Sequence, residues 1–195
     1  MIFLLLICMT VGQSDAAAKP APTGTVNLQG PTDLDGKVLF ASSDKVRFHC
    51  LIFLGTECPV SNGYSPEYKR LYQEYGAKGV ALVGIHPDPD VDGDRARQHA
   101  KEYQLPFPIA LDREQKLARS AGVQVTPEVA VLDPKGKVVW IGRIDDAWMP
   151  NGKKRTTVTQ RDLRIALDAL LGGKTPPPAA ARPFGCPLPE VHSKP

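Results

Sequence analysis

The sequence predicts an α/β fold, a central mixed β-sheet flanked by helices, and three observations predict it. Phe48 to Leu54 is an apolar run of the kind that fills a buried strand. A helical pattern from Tyr64 to Tyr75 and a second apolar run, Val80 to Ile85, follow within forty residues. Strand, helix and strand at that spacing make a βαβ unit with parallel strands. Later, Glu128–Leu132 and Val138–Gly142 flank the turn Asp133-Pro134-Lys135-Gly136-Lys137 and make a hairpin, which adds antiparallel pairing.

The remaining elements fall into place around these. Thr25–Leu28 and Val38–Phe40 read as short strands on either side of the turn Asp33–Lys37. The first helix carries Tyr64, Tyr68, Leu71, Tyr72 and Tyr75 at helical spacing, a stripe read as packing, and Gly76 and Gly79 stop it. His86-Pro87-Asp88-Pro89-Asp90 breaks the second strand. Asp94 to Tyr103 reads as a helix capped by Asp92 or Asp94, Pro106–Leu111 as an extended segment, and Arg113 to Ser120 as a helix ended by Gly122. The last helix runs from about Thr159 to Leu171, with Leu163, Ala166, Leu167 and Leu170 on one face. From Lys174 the composition changes: seven of the last 22 residues are Pro, which predicts an extended tail over 174–195 rather than a second domain.

A chain of 195 residues with 42% hydrophobic residues suits one main domain, here 19–173. The formal charge of +3 is small, and its cluster at Lys153-Lys154-Arg155 reads as a solvated loop. With no nucleic-acid motif beside it, a nucleic-acid partner is excluded from the expectation. Residues 1–18 read as an export signal: the apolar stretch Ile2–Val11 is followed by the small-residue site Ala16-Ala17-Ala18, although no basic residue precedes it. That run is too short to span a bilayer, so no stable membrane insertion is expected after cleavage. The expected location is periplasmic or extracellular.

Export would remove Cys8 and leave Cys50, Cys58 and Cys186 in a compartment where disulfides persist. Cys50 lies within the apolar strand and reads as a small buried hydrophobe. Cys58 differs, because it stands in the turn Gly55–Pro59 between strand and helix. There it reads either as a structural cysteine at a strand end or as an exposed, reactive thiol whose thiolate is stabilised by free N–H groups and the helix dipole. His86, at the carboxyl end of a parallel strand, shares that edge and reads either as a loop residue or as a partner to the thiolate or a metal. His49 reads as a core or edge residue and His99 as part of a polar helix face. Arg143 with Asp145 and Asp146 reads as a local ion pair that holds a loop, or as part of the site's lining. No pair of residues has zinc-ligand spacing, so no metal and no cofactor is expected.

Cys58-Pro59-Val60-Ser61 between strand and helix, Pro66 in the helix, Thr126-Pro127 opening a strand, the turn Leu132–Gly136 and the segment Arg95–Ile109 together resemble the thioredoxin fold, and within it the redoxin group (the alkyl hydroperoxide reductase and thiol-specific antioxidant family) with its exported thiol–disulfide oxidoreductase relatives. Cys58-Pro59-Val60-Ser61 stands where thioredoxins carry Cys-x-x-Cys, and Pro66 matches the proline that kinks their first helix. Thr126-Pro127 looks like the cis-proline that faces the active cysteine. Leu132–Gly136 matches the hairpin turn, and Arg95–Ile109 occupies the place of the redoxin insertion. The resemblance covers residues 25 to 171. Thr56-Glu57-Cys58-Pro59, the Arg143–Asp146 segment and the late Gly185-Cys186 also look like an exported redoxin subgroup.

The resemblance implies thiol–disulfide exchange with Cys58 as nucleophile. Thr126 and cis-Pro127 would align a partner's chain, with Thr56, Glu57 and Pro59 beside it. The partner would be a protein or small molecule carrying a disulfide or thiol. The sequence departs from the family pattern in three ways: Ser61 replaces the second cysteine, Glu57 places a carboxylate before Cys58, and Thr56 is one residue too close to suit a peroxidatic cysteine. Cys186 is the candidate for the missing second thiol, and the 14 residues from Gly172 reach roughly 40 Å when extended; the alternatives are an external resolving thiol and a tail cysteine that pairs with another protein or with none. The alternatives are a thiol peroxidase, with Cys58 passing through a sulfenic acid, and a redoxin-shaped module that binds copper or a protein without turnover.

Overall fold

The five-stranded sheet is built outward from its most apolar strand. The computed structural model describes residues 24–40 and 43–191; the segment read as an export signal, residues 1–18, and the last four residues lie outside the described residues. In chain order, β1 is Phe48–Phe53, β2 Val80–His86, β3 Ile109–Leu111, β5 Glu128–Leu132 and β6 Val138–Gly142, and the sheet order is β3-β2-β1-β5-β6. The pairs β1–β2 and β2–β3 are parallel, whereas β1–β5 and β5–β6 are antiparallel, which makes the sheet mixed. The segments read as short strands at Thr25 and Val38 form only isolated bridges, to Lys137 and Thr32.

Successive residues of β1 face opposite sides of the sheet, as the period-2 pleat requires. Cys50, Ile52 and Leu54 join one buried cluster with Tyr68, Leu71 and Tyr75 of α2 (Ser65–Gly76) and Leu163 and Leu167 of α5 (Asp162–Leu171). Ala96 of α3 (Gly93–Glu102) packs into the same cluster. Leu51 and Phe53 join the other cluster with Ala118 and Ala121 of α4 (Lys116–Ala121) and with Val26 and Phe40. Both faces are therefore dry, which explains the unbroken apolar character of β1 and β2.

The first helix is in two pieces. α1, Pro59–Gly63, ends at Tyr64, and α2 begins at Ser65 with Pro66 in its first turn. Proline has no N–H to continue the upstream hydrogen-bond ladder but suits a first turn, so the break falls where the sequence places Pro66. The expected caps of α3 resolve to Asp92, whose carboxylate accepts from the Arg95 N–H at 2.8 Å.

Registers bring distant segments to one edge. Phe53 pairs with Ile85 in the parallel direction and with Glu128 in the antiparallel direction. The turn after β1, the end of β2 and the residues before β5 therefore meet at the carboxyl edge of β1. The tail returns to this edge as well. The Trp140 indole N–H donates to the Pro177 carbonyl at 3.0 Å, the Ala180 N–H donates to Asp162 at 2.8 Å, and Ala179 is buried against the core. Beyond it, β7 (Cys186–Pro187) pairs antiparallel with β4 (Val125–Thr126).

A buried carboxylate fastens α2 to α5. Glu67 accepts from Arg70 at 2.6 Å and from Arg164 at 2.8 Å, and its side chain is 6% exposed. Removing Glu67 loses charge-assisted hydrogen bonds of about 2 kcal/mol, while Arg70 stays solvated and Arg164 keeps its pair with Glu74. Glu67→Ala is therefore expected to lower the unfolding free energy by about that amount in urea titration. A loss below about 1 kcal/mol would mean that the pair contributes little.

Candidate active site

Cys58 is the N-cap of α1, in extended backbone conformation at φ −82° and ψ 111°. Its sulfur accepts from the Ser61 N–H at 3.4 Å, and its thiol donates to the Thr126 carbonyl at 3.1 Å. The cysteine thus sits at a helix start, as the strand–turn–helix pattern predicts, and touches the segment before β5. The Thr126–Pro127 bond is cis. Gly55 permits the close approach: a Cβ there would lie 2.7 Å from Thr126 Oγ1 and 2.8 Å from Cys58 Cβ. Gly55 N–H in turn donates to Ser61 Oγ at 3.3 Å, so the serine in the second-cysteine position braces the turn.

An exposed Cys58 is the sequence expectation for a reactive thiol at a helix start, and the structure corrects it: Cys58 is 3% exposed. It sits in the core cluster, and the tail packs against that cluster through Phe184 and Cys186. Cys186 pairs with Thr126 across β4 and β7, next to Cys58. Both cysteines are free thiols, and Cys50 is a third, fully buried. The Cys186 thiol is pushed up to about 12, first by burial and then by the hydrogen bonding and charge of Cys58. It stays protonated near neutrality and can donate to the Cys58 sulfur. Burial alone pushes Cys50 up to about 12, which makes it unreactive.

Glu57 does not face the sulfur. Its side chain is 83% exposed and pairs with Arg95 at the start of α3. Water and the guanidinium screen its charge, which the sequence alone sets against a thiolate. Thr56, Glu57, Arg95, Gln98, His99 and Glu102 line a polar pocket of about 200 Å³ beside the Cys58 turn. Pro59 opens α1 next to the nucleophile candidate.

Two histidines lie behind this pocket. His86 is fully buried, with its Nδ1 3.2 Å from the Leu54 carbonyl, which fixes the proton on Nδ1. His99, read from sequence as part of a polar face, is instead buried against it, with ring centroids 5.0 Å apart. The signal lay in the spacing, because His99 falls on the same stripe as Ala96 and Tyr103. Asn62 links the pair to the turn: it donates to the Thr56 carbonyl at 2.9 Å and accepts from His99 Nε2 at 2.8 Å. Among the described residues no group of three His, Cys, Asp or Glu is placed to hold a metal.

The acidic segment after β6 moors loops. Arg143 pairs with Asp162 at 2.7 Å, rather than with its neighbours Asp145 and Asp146. Asp145 accepts from the Tyr64 hydroxyl at 2.7 Å, and burial pushes its carboxyl upward. Asp146 accepts from Thr159 and Gln160; against the upward push of burial, these bonds hold its carboxyl near about 2. His49 packs edge-on to Phe40, away from the cysteine.

Comparison with known proteins adds to this geometry. The Redoxin family model matches residues 16–155. A thiol-disulfide oxidoreductase ResA from Bacillus thuringiensis subsp. konkukian (strain 97-27) is 30% identical over 149 residues, covering 71% of this chain and 82% of the relative. Among solved structures, a hypothetical protein from Sinorhizobium meliloti 1021 superposes with a TM-score of 0.71 at 26% identity, covering 88% of this chain and 96% of its own. An uncharacterized conserved protein from Geobacillus kaustophilus gives 0.65 at 28% identity, over 91% and 92%. Among the described residues no helix is long and apolar enough to cross a membrane.

The buried histidine predicts a pH dependence. Burial, then the neighbouring His99, lowers His86 to about 4, partly offset by its bond to Leu54. The unfolded chain takes up that proton near the ordinary value of about 6.5, so protonation favours unfolding. Stability is therefore full above about pH 6.5 and falls toward pH 4, by up to about 3 kcal/mol from this residue. Urea titrations of His86→Gln are expected to give a shallower slope across that window. A slope equal to that of the unmodified protein would contradict the assignment.

Proposed function

The chain belongs to the redoxin family, and from that premise we propose that it carries out thiol–disulfide exchange with Cys58 as nucleophile and Cys186 as resolving thiol. The single observation that carries this reading is the placement of Cys186 opposite Thr126, beside Cys58, in a chain whose second motif position is Ser61. The relatives named thiol-disulfide oxidoreductase support the reaction class.

The Cys58 thiolate attacks one sulfur of a partner disulfide, forming a Cys58–partner bond while the partner's other sulfur leaves as a thiolate. The Cys186 sulfur, once deprotonated, attacks Cys58 and forms the Cys58–Cys186 disulfide. The partner's first sulfur departs as a thiol. Two electrons pass to the partner, and an external dithiol must reduce Cys58–Cys186 to restore the start. The Ser61 N–H supports the developing charge on Cys58, and the Thr126 carbonyl orients its thiol. Partners are disulfides or thiols of proteins or small molecules. An exported, periplasmic or extracellular location rests on the apolar segment and Ala16-Ala17-Ala18; a mature protein that retains Met1 would remove that part.

Mild oxidation is expected to yield a Cys58–Cys186 crosslinked peptide in a non-reducing map, with Cys50 unlinked. Cys186→Ser is expected to accumulate Cys58 mixed disulfides, and Cys58→Ser to abolish exchange. Full exchange in Cys58→Ser, or two independently alkylatable cysteines after oxidation, would overturn the proposal.

A further inference from the structure

The edge of β4 carries one added strand, and in this structure that strand is the protein's own tail. Thr126 pairs with Cys186 and Val125 with Pro187, and the Leu188 N–H donates to the Gln124 carbonyl at 3.2 Å. Gln115 Nε2 donates to the Pro189 carbonyl at 2.6 Å, Phe184 packs on one buried cluster, and Leu188 packs on the other. Along this strand the chain passes closest at Gly185. A Cβ there would lie 2.3 Å from the Thr126 carbonyl oxygen and 3.2 Å from Pro127 N. Gly185 is thus selected for lack of a side chain, at a place where its neighbour presents a sulfur to Cys58.

We infer that the segment Phe184–Leu188 is a displaceable occupant of the edge where an external chain presents its cysteine, and that the partner fitting this edge is an extended peptide with glycine immediately before the cysteine. An added strand bonds through its main chain, and side-chain fit gives specificity. The bound tail displays that fit: an apolar residue, glycine, cysteine, proline and an apolar residue, antiparallel to β4. One edge cannot hold two strands, so an incoming partner lifts the tail off Cys58. Return of the tail brings Cys186 to the mixed disulfide and expels the partner. The partner half of this inference rests on the exchange reading, whereas the occupancy half does not.

The test uses the reduced full-length chain and its Gly185→Ala variant, in which the added methyl cannot coexist with the Thr126 carbonyl. Cys58 alkylation by iodoacetamide, read by mass spectrometry, is expected to rise at least tenfold in the variant. Cys50 reports folding, since it labels only in an opened core. If Cys50 labels, Leu188→Asn replaces the first variant, with the same expectation. Equal Cys58 alkylation in folded variant and unmodified protein overturns the occupancy.

The partner is then probed with two synthetic peptides, Phe-Gly-Cys-Pro-Leu and Phe-Ala-Cys-Pro-Leu, each carrying thionitrobenzoate in disulfide linkage to its cysteine. Attack by Cys58 joins it to the peptide sulfur and releases the coloured thionitrobenzoate anion. Gly185→Ala combined with Cys186→Ser, which leaves Cys58 as the thiol at this edge, is expected to release it at least fivefold faster from the glycine peptide than from the alanine peptide. Equal rates overturn the glycine requirement. No release from either peptide, with the alkylation gain intact, overturns exchange and upholds the tail as occupant.

Discussion

The contact between the Cys58 thiol and the Thr126 carbonyl is the constraint on which the rest of the site depends. It joins the turn after β1 to the residues before β5, and only the registers of β1 with β2 and β5 bring those segments together. Gly55 keeps the gap closed, and Ser61 ties the turn to the helix start. Once the two segments are in contact, the β4 edge is fixed in space. An extended chain laid on that edge places a residue opposite Thr126, above the sulfur.

The tail exploits that geometry. Its proline content keeps it extended and poor in donors, so it crosses the surface without forming a layer of its own. It is fastened at Trp140, Asp162 and Gln115 along the way. These fastenings deliver Cys186 to its register opposite Thr126.

Much of the fold was legible in the sequence. Apolar runs, helical stripes and the Asp-Pro-Lys-Gly turn each depend on local residues, so their positions follow from spacing, whereas the place of Thr126-Pro127 in the site follows from the family resemblance. What was not legible depends on contacts between distant residues. His99 looked solvated because its helix is polar on average, while its one buried stripe faces His86. Arg143 looked paired with its sequence neighbours, but the partner that α5 supplies is Asp162. Glu57 looked like a charge aimed at Cys58 until α3 brought Arg95 to it. The reach of the tail was calculable and its direction was not, because direction is set by anchors such as Gln115 that carry no motif.

Hydrogen exchange at the Leu188 amide, which bonds to Gln124, tests the shared edge most directly. It would be measured in full-length Cys186→Ser, first with Cys58 free and then with Cys58 in disulfide linkage to a glycine–cysteine peptide. The account predicts slow exchange in the free protein and exchange at least tenfold faster in the mixed disulfide, where the peptide has taken the strand position. Equal protection of Leu188 in both states would show that tail and partner do not compete, and would contradict it.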